Sequence, residues 1–228
     1  MNNLASNVIT LDGPSGAGKG TISQLIAEAL DYSLLDSGAL YRITALAALK
    51  ADIALDDDLR IAELPGTLKI EFLILDQRVR VMLNGEDVSD QIREEHVGMA
   101  ASKVAANTAL REALLDRQRQ FADSSLGLVA DGRDMGTVVF PNATCKFYLT
   151  ASAEERARRR VKQLEERGAH SVSYELTLSD IQERDDRDMN RKTAPLRPAE
   201  DAIMLDSTSM GIEEVFAQAM QEIRKRIV

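Results

Sequence analysis

Short apolar runs alternate with helical stretches along this chain, at residues 8–11, 34–35, 128–130, 147–149 and 203–205, most of them followed at once by a turn or helix signal. That rhythm predicts an α/β protein with a parallel sheet and helices on both faces, because strands covered on both sides read as continuous apolar runs. The helix after the first run sets Ile22, Leu25, Ile26, Ala29 and Leu30 on one face, suited to packing on the sheet. Another helix is predicted to open at Ser152-Ala153-Glu154-Glu155, where a Ser three residues before a Glu makes a capping box. One region changes period: Leu68, Ile70, Phe72 and Ile74 alternate with Lys69 and Glu71, and Asp76-Gln77 leads into Arg78-Val79-Arg80-Val81. Period two predicts an antiparallel hairpin, most simply an insertion at about residues 65–90, after which a helical segment from Gln91 to Phe121 returns to the core. The expected organisation is one core over residues 1–228 carrying that insert and a mobile arm at about 156–192.

Composition narrows the setting. With 228 residues, 44% hydrophobic and 29% charged, the chain has material for a packed core and is not wholly disordered. Its 28 Lys+Arg against 37 Asp+Glu leave a net charge of -9, which repels phosphate backbones, so nucleic acid is not an expected partner. No stretch approaches the ~20 apolar residues that span a bilayer, and no basic leader precedes Lys19, so the expectation is a cytoplasmic monomer with no membrane partner. The single cysteine, Cys145, adjoins Lys146-Phe147-Tyr148-Leu149 and reads as a packed strand position.

Directly after the first strand stands Gly13-Pro14-Ser15-Gly16-Ala17-Gly18-Lys19-Gly20-Thr21, a G-x-x-x-x-G-K loop between strand and helix. Glycines let main-chain N–H groups turn inward, the helix start favours an anion, and Lys19 supplies a cation for β- and γ-phosphates. Gly20 occupies the position whose hydroxyl usually ligates magnesium, so Mg²⁺, arriving as MgATP, is expected to be held mainly through water. The plain alternative is a Gly-rich turn without a ligand. The loop resembles that of nucleoside monophosphate kinases; a switch GTPase would also carry N-K-x-D, whereas Lys50-Ala51-Asp52 follows Leu49.

Two further clusters end predicted strands. Asp36-Ser37-Gly38-Ala39-Leu40-Tyr41-Arg42 could cap its helix through Asp36 or Ser37, but capping leaves Arg42, a bidentate phosphate binder by chemistry, unexplained. Asp131-Gly132-Arg133-Asp134-Met135-Gly136-Thr137 places Asp131 like a Walker-B carboxylate, able to orient Mg²⁺ or its waters, with Arg133 in reach of an acceptor phosphate. The bland reading makes Asp131 a helix cap and Arg133 its surface ion pair, a pair worth only ~0–1 kcal/mol. Downstream, Arg184, Arg187, Asp188 and Arg191 share one helix face, which taken alone reads as a solvated charged surface.

The phosphate loop, these two clusters and Leu205-Asp206-Ser207-Thr208, in this order, resemble the bacterial cytidylate kinases over nearly the whole chain. The resemblance implies transfer of the ATP γ-phosphoryl group to CMP, and also dCMP, in pyrimidine nucleotide metabolism. It implies that Ser37, Arg42 and Arg133 hold the CMP phosphate, that Ser102, Arg111 and Asp134 read cytosine, and that Tyr41 lines the site. It makes the arm at 156–192 a lid, with Arg184 and Asp188 on the ribose and Arg191 on the phosphates. Arg156 and Arg160 are candidates for the ATP side or a solvated basic face. Lys19, Arg133, Arg184 and Arg191 are then the catalytic cations, charge being what phosphoryl transfer requires. No general base is needed, and His96 and His170 are expected at the surface. Another small-molecule P-loop kinase, or a nucleotide-binding module without transfer activity, are the rival readings.

Overall fold

The computed structural model describes residues 7–75, 78–123, 126–166, 168 and 171–227. The chain runs β1 (Asn7–Asp12), α1 (Lys19–Leu30), β2 (Ser33–Asp36), α2 (Ser37–Lys50), α3 (Asp58–Thr67), β3 (Ile70–Leu75), β4 (Arg78–Leu83), β5 (Glu86–Asp87), α4 (Glu95–Val104), α5 (Thr108–Asp123), β6 (Gly127–Gly132), β7 (Cys145–Thr150), α6 (Ala153–Glu166), α7 (Tyr174–Met189), β8 (Ile203–Asp206) and α8 (Ile212–Arg224). Every apolar run became a strand of one parallel sheet, in the order β2-β6-β1-β7-β8. Alternate residues of these strands feed two cores. Ile9, Leu11 and Phe147 pack with Ile22 and Ile26 of α1 and Val215 and Ile223 of α8; Val8, Leu128 and Ala130 pack with Leu40 and Ile43 of α2 and Leu110 and Leu114 of α5.

Register then decides which polar residues meet. Asp131 of β6 pairs with both Leu11 of β1 and Asp36 of β2, while Asp12 pairs with Gly132 and Tyr148. Residues far apart in sequence thereby share the carboxyl rim of the sheet, where the N-terminal strand β1 sits between β6 and β7 from the second half of the chain.

The period-two region is a second, antiparallel sheet, β3-β4-β5, with Ile70 opposite Leu83 and Leu75 opposite Arg78. Its first strand starts at Ile70 rather than Leu68, and the short β5 was not foreseen; the Asp76-Gln77 turn lies outside the described residues. The helical segment after it is broken into a 3₁₀ turn, α4 and α5, because Asn107 accepts from the Leu110 N–H and donates to the Asp58 carbonyl, restarting the chain.

Two local expectations need correction. Ala29 of α1 is exposed, and the buried side includes Ser23 and Ala27, since α1 packs against α8 as well as the sheet. The capping box at α6 is half formed: Ser152 Oγ accepts from the Glu155 N–H at 3.2 Å, but Ser152's own N–H goes to Thr208 Oγ1, and the Glu155 carboxylate turns to Arg158 and Arg159. Cys145 is buried as expected, and burial pushes its thiol up to about 11.

Candidate active site

The loop between β1 and α1 takes its shape from glycine. Gly13 has φ 145, and a Cβ there would collide with the Leu149 carbonyl; Gly18, with φ 97, is the left-handed cap from which α1 starts. Neighbouring elements brace it. Ser207 Oγ lies 3.1 Å from the Ala17 carbonyl, and Arg159 donates to the Ser207 carbonyl at 2.6 Å. Lys19 at the start of the helix is buried, 3.0 Å from the Pro14 carbonyl and 3.8 Å from the Asp131 carboxylate. Burial, with Arg133 nearby, holds the Lys19 ammonium below the usual lysine range, and burial holds Asp131 well above the usual carboxylate range.

Across the rim stands a second set of groups. Asp36 caps α2 through the Ala39 N–H at 2.9 Å, with Ser37 buried beside it, so the capping role is real. Arg42 on the next turn reaches the Ile92 carbonyl at 2.7 Å. Arg133 Nε meets Asp188 at 2.9 Å, and Arg191 stands 3.1 Å from the same carboxylate, so Asp188 lies below the usual carboxylate range despite its burial. Arg111 donates to Asp134 at 2.6 Å and lies 5.8 Å from the Tyr41 ring centre. Arg191 itself is off the predicted face, because α7 ends at Met189; it folds back to bond the Asp188 carbonyl. Ser102 on α4 accepts from Arg187 of α7 at 3.3 Å.

Between the two sets opens a cleft of about 1400 Å³, bordered by Gly20, Asp36, Arg42, Asp131, Arg160 and Arg184. Arg42, Arg160 and Arg184 line it without an ion-pair partner among the described residues, and Arg184 is pushed down to about 10 by burial and then by Arg133. Guanidinium groups left unpaired among the described residues, in a protein of net charge -9, favour bound anions.

Arg156 lines the cleft as well. Its guanidinium is spent within the protein: Nη1 and Nη2 meet buried Asp185 of α7 at 3.1 and 2.5 Å, Nη1 reaches the Ser15 carbonyl at 3.0 Å, and Nε the Ala151 carbonyl at 3.0 Å. It ties α7 to the phosphate loop. His96 is exposed, and His170 lies outside the described residues.

Sequence reasoning missed Asp12 and Asp185. Asp12 ends β1 and accepts the Met135 and Gly136 N–H groups at 2.8 and 2.7 Å; burial still pushes its carboxyl up to about 6. Its signal was a carboxylate closing an otherwise apolar strand. Asp185 was hidden in a run of charges.

The family model described as Cytidylate kinase matches residues 9–225. The chain is 58% identical over 221 residues to a cytidylate kinase of Vibrio cholerae, covering 97% of each chain, and 57% identical over 220 residues to one of Pasteurella multocida, covering 96% of each. Among solved structures, a shikimate kinase from Bacteroides thetaiotaomicron is similar with a TM-score of 0.46 at 12% identity, covering 96% of this chain and 98% of that one.

Proposed function

The chain belongs to the cytidylate kinase family, and from that premise we propose which of its groups move the γ-phosphoryl group of ATP to CMP. The observation that carries the assignment is the set of unpaired arginines at the cleft, for which the phosphate groups of ATP and CMP are the natural counter-ions.

On this reading the N–H groups of the loop from Gly13 to Thr21 and the Lys19 ammonium hold the β- and γ-phosphates of ATP, with Arg160 on the same side. Arg156 acts on the donor through the Ser15 carbonyl rather than by touching it. Ser37, Arg42 and Arg133 take the CMP phosphate; Arg111, Asp134 and Ser102 take the base, with Tyr41 stacked beneath Arg111. Asp188 and Arg184 take the sugar, and dCMP, lacking one hydroxyl, is a second acceptor. Because Asp188 already binds Arg133 and Arg191, a sugar hydroxyl that bonds to it stays linked to the phosphate-binding cations. The transferred group spreads negative charge in flight, and Lys19, Arg133, Arg184 and Arg191 are the cations that meet it. The acceptor phosphate is anionic at neutral pH, so no base is required.

Magnesium enters with ATP. The described residues contain no cluster of three potential ligand side chains, and a Cβ on Gly20 would stand 3.6 Å from Asp131 Oδ2, so the space beside that carboxylate stays open. That suits an ion which keeps most of its waters, with Asp131 holding it through them. When bound, it neutralises phosphate charge during transfer.

The direct test is an acceptor panel of CMP, dCMP, UMP, AMP and GMP with coupled ADP release. CMP should give a higher kcat/KM than UMP, AMP or GMP, with dCMP also accepted; turnover with CMP no greater than with UMP, AMP or GMP overturns the acceptor assignment. Arg133→Ala should raise KM for CMP by roughly tenfold or more and KM for ATP much less, as expected for one lost charged contact worth about 1.5–3 kcal/mol. The reverse ratio would mean that donor and acceptor have been exchanged.

A further inference from the structure

Asp12 is 3% exposed and takes no part in the transfer just described. Although it immediately precedes the phosphate loop, its side chain points to the loop after β6. There it accepts the first two N–H groups of a π-helical turn, Met135–Val139, which have no acceptor within the turn. Two charge-assisted bonds in a dry setting make a stiff clamp. Gly136 fits beneath it with nothing to spare: a Cβ there would stand 3.0 Å from Thr10 Oγ1, 3.1 Å from Lys146 Cδ and 3.3 Å from Asp12 Oδ2. At the far end of the same segment, Lys146 donates to the Pro141 carbonyl at 2.6 Å and is itself held by Asp201 at 2.9 Å. The segment is therefore fastened to the sheet at both ends, and Arg133 and Asp134 leave it directly before the Asp12 clamp.

We propose that Asp12 is a positioning residue for the acceptor: by holding the Met135 and Gly136 N–H groups it fixes where Arg133 and Asp134 present their side chains to CMP. The inference rests on the assignment of those two residues to CMP. The phosphate loop has separate hydrogen-bonded supports in Ser207 and Arg156, so the geometric loss of the clamp falls on the acceptor side, while the Asp12 charge reaches the donor side only through its field at Lys19.

The test is steady-state kinetics with each substrate varied in turn, on the unmodified protein, Asp12→Asn and Arg133→Ala. Asparagine keeps the shape but turns an NH₂ toward one of the two donors. KM for CMP is expected to rise about tenfold while KM for ATP stays within about twofold, a split that general loosening would not produce. An equal rise for both substrates, a rise for ATP alone, or no change overturns the inference. A CMP-specific loss in Arg133→Ala with none in Asp12→Asn overturns it alone; loss in neither overturns the assignment of Arg133 as well. Should Asp12→Asn fail to fold, Gly136→Ala presses on the same clamp from the loop side and is judged by the same outcomes.

Discussion

Lys19→Ala is expected to lower kcat about a thousandfold, the scale on which removing one preorganised charge from a phosphoryl or acyl transfer site acts. The reason is position. The ammonium is buried at the start of α1, anchored by the Pro14 carbonyl and by Asp131, and so would meet donor phosphates, on the proposed assignment, without reorganising. Folding should survive the change. The folded state resists charging Lys19, since its pKa is held below the unfolded value; the group therefore costs stability at neutral pH, and that cost fades as pH rises toward the ordinary lysine range. The same change leaves the buried Asp131 carboxylate without its partner, which offsets that gain, so Lys19→Ala should remain folded in thermal unfolding at pH 7. Near-normal turnover, or an unfolded variant, would contradict this account.

Arg156→Ala should have its largest effect on stability instead. It leaves the Asp185 carboxylate buried without its partner and removes donors to the Ser15 and Ala151 carbonyls, a loss of about 3–5 kcal/mol for a broken buried ion pair. Urea denaturation measures it. The double variant Arg156→Met, Asp185→Leu should recover much of that loss, because an apolar pair carries no desolvation cost. If Arg156 bound ATP directly, its removal would raise KM for ATP while leaving the urea midpoint nearly fixed, and that result would sink the structural role.

How much of this was readable beforehand depends on the kind of signal. The five strands showed themselves because parallel strands covered on both faces must be apolar throughout. The inserted sheet showed itself in period two. The phosphate loop was legible because its chemistry needs contiguous residues, glycines for close approach and a lysine at a helix start. The α1 face was misjudged by Ala29, because periodicity gives a stripe but not the second helix that widens it. Arg156 and Arg160 looked equivalent one turn apart and both border the cleft, yet Arg156 is paired with Asp185 while no ion pair is formed by Arg160 among the described residues.

The sequence by itself thus determined the class of fold, the donor loop and the family whose motifs it carries, since each resides in a local pattern of residue types. Only the tertiary structure decided which charges cancel and which stay free: that Asp12 serves a loop more than a hundred residues away, that Asp188 gathers Arg133 and Arg191, and that Arg42, Arg160 and Arg184 face the cleft without an ion-pair partner among the described residues. Those pairings are made by sheet register and by the docking of α7. Coulomb and hydrogen-bond energies depend on distance in space, which linear spacing does not encode.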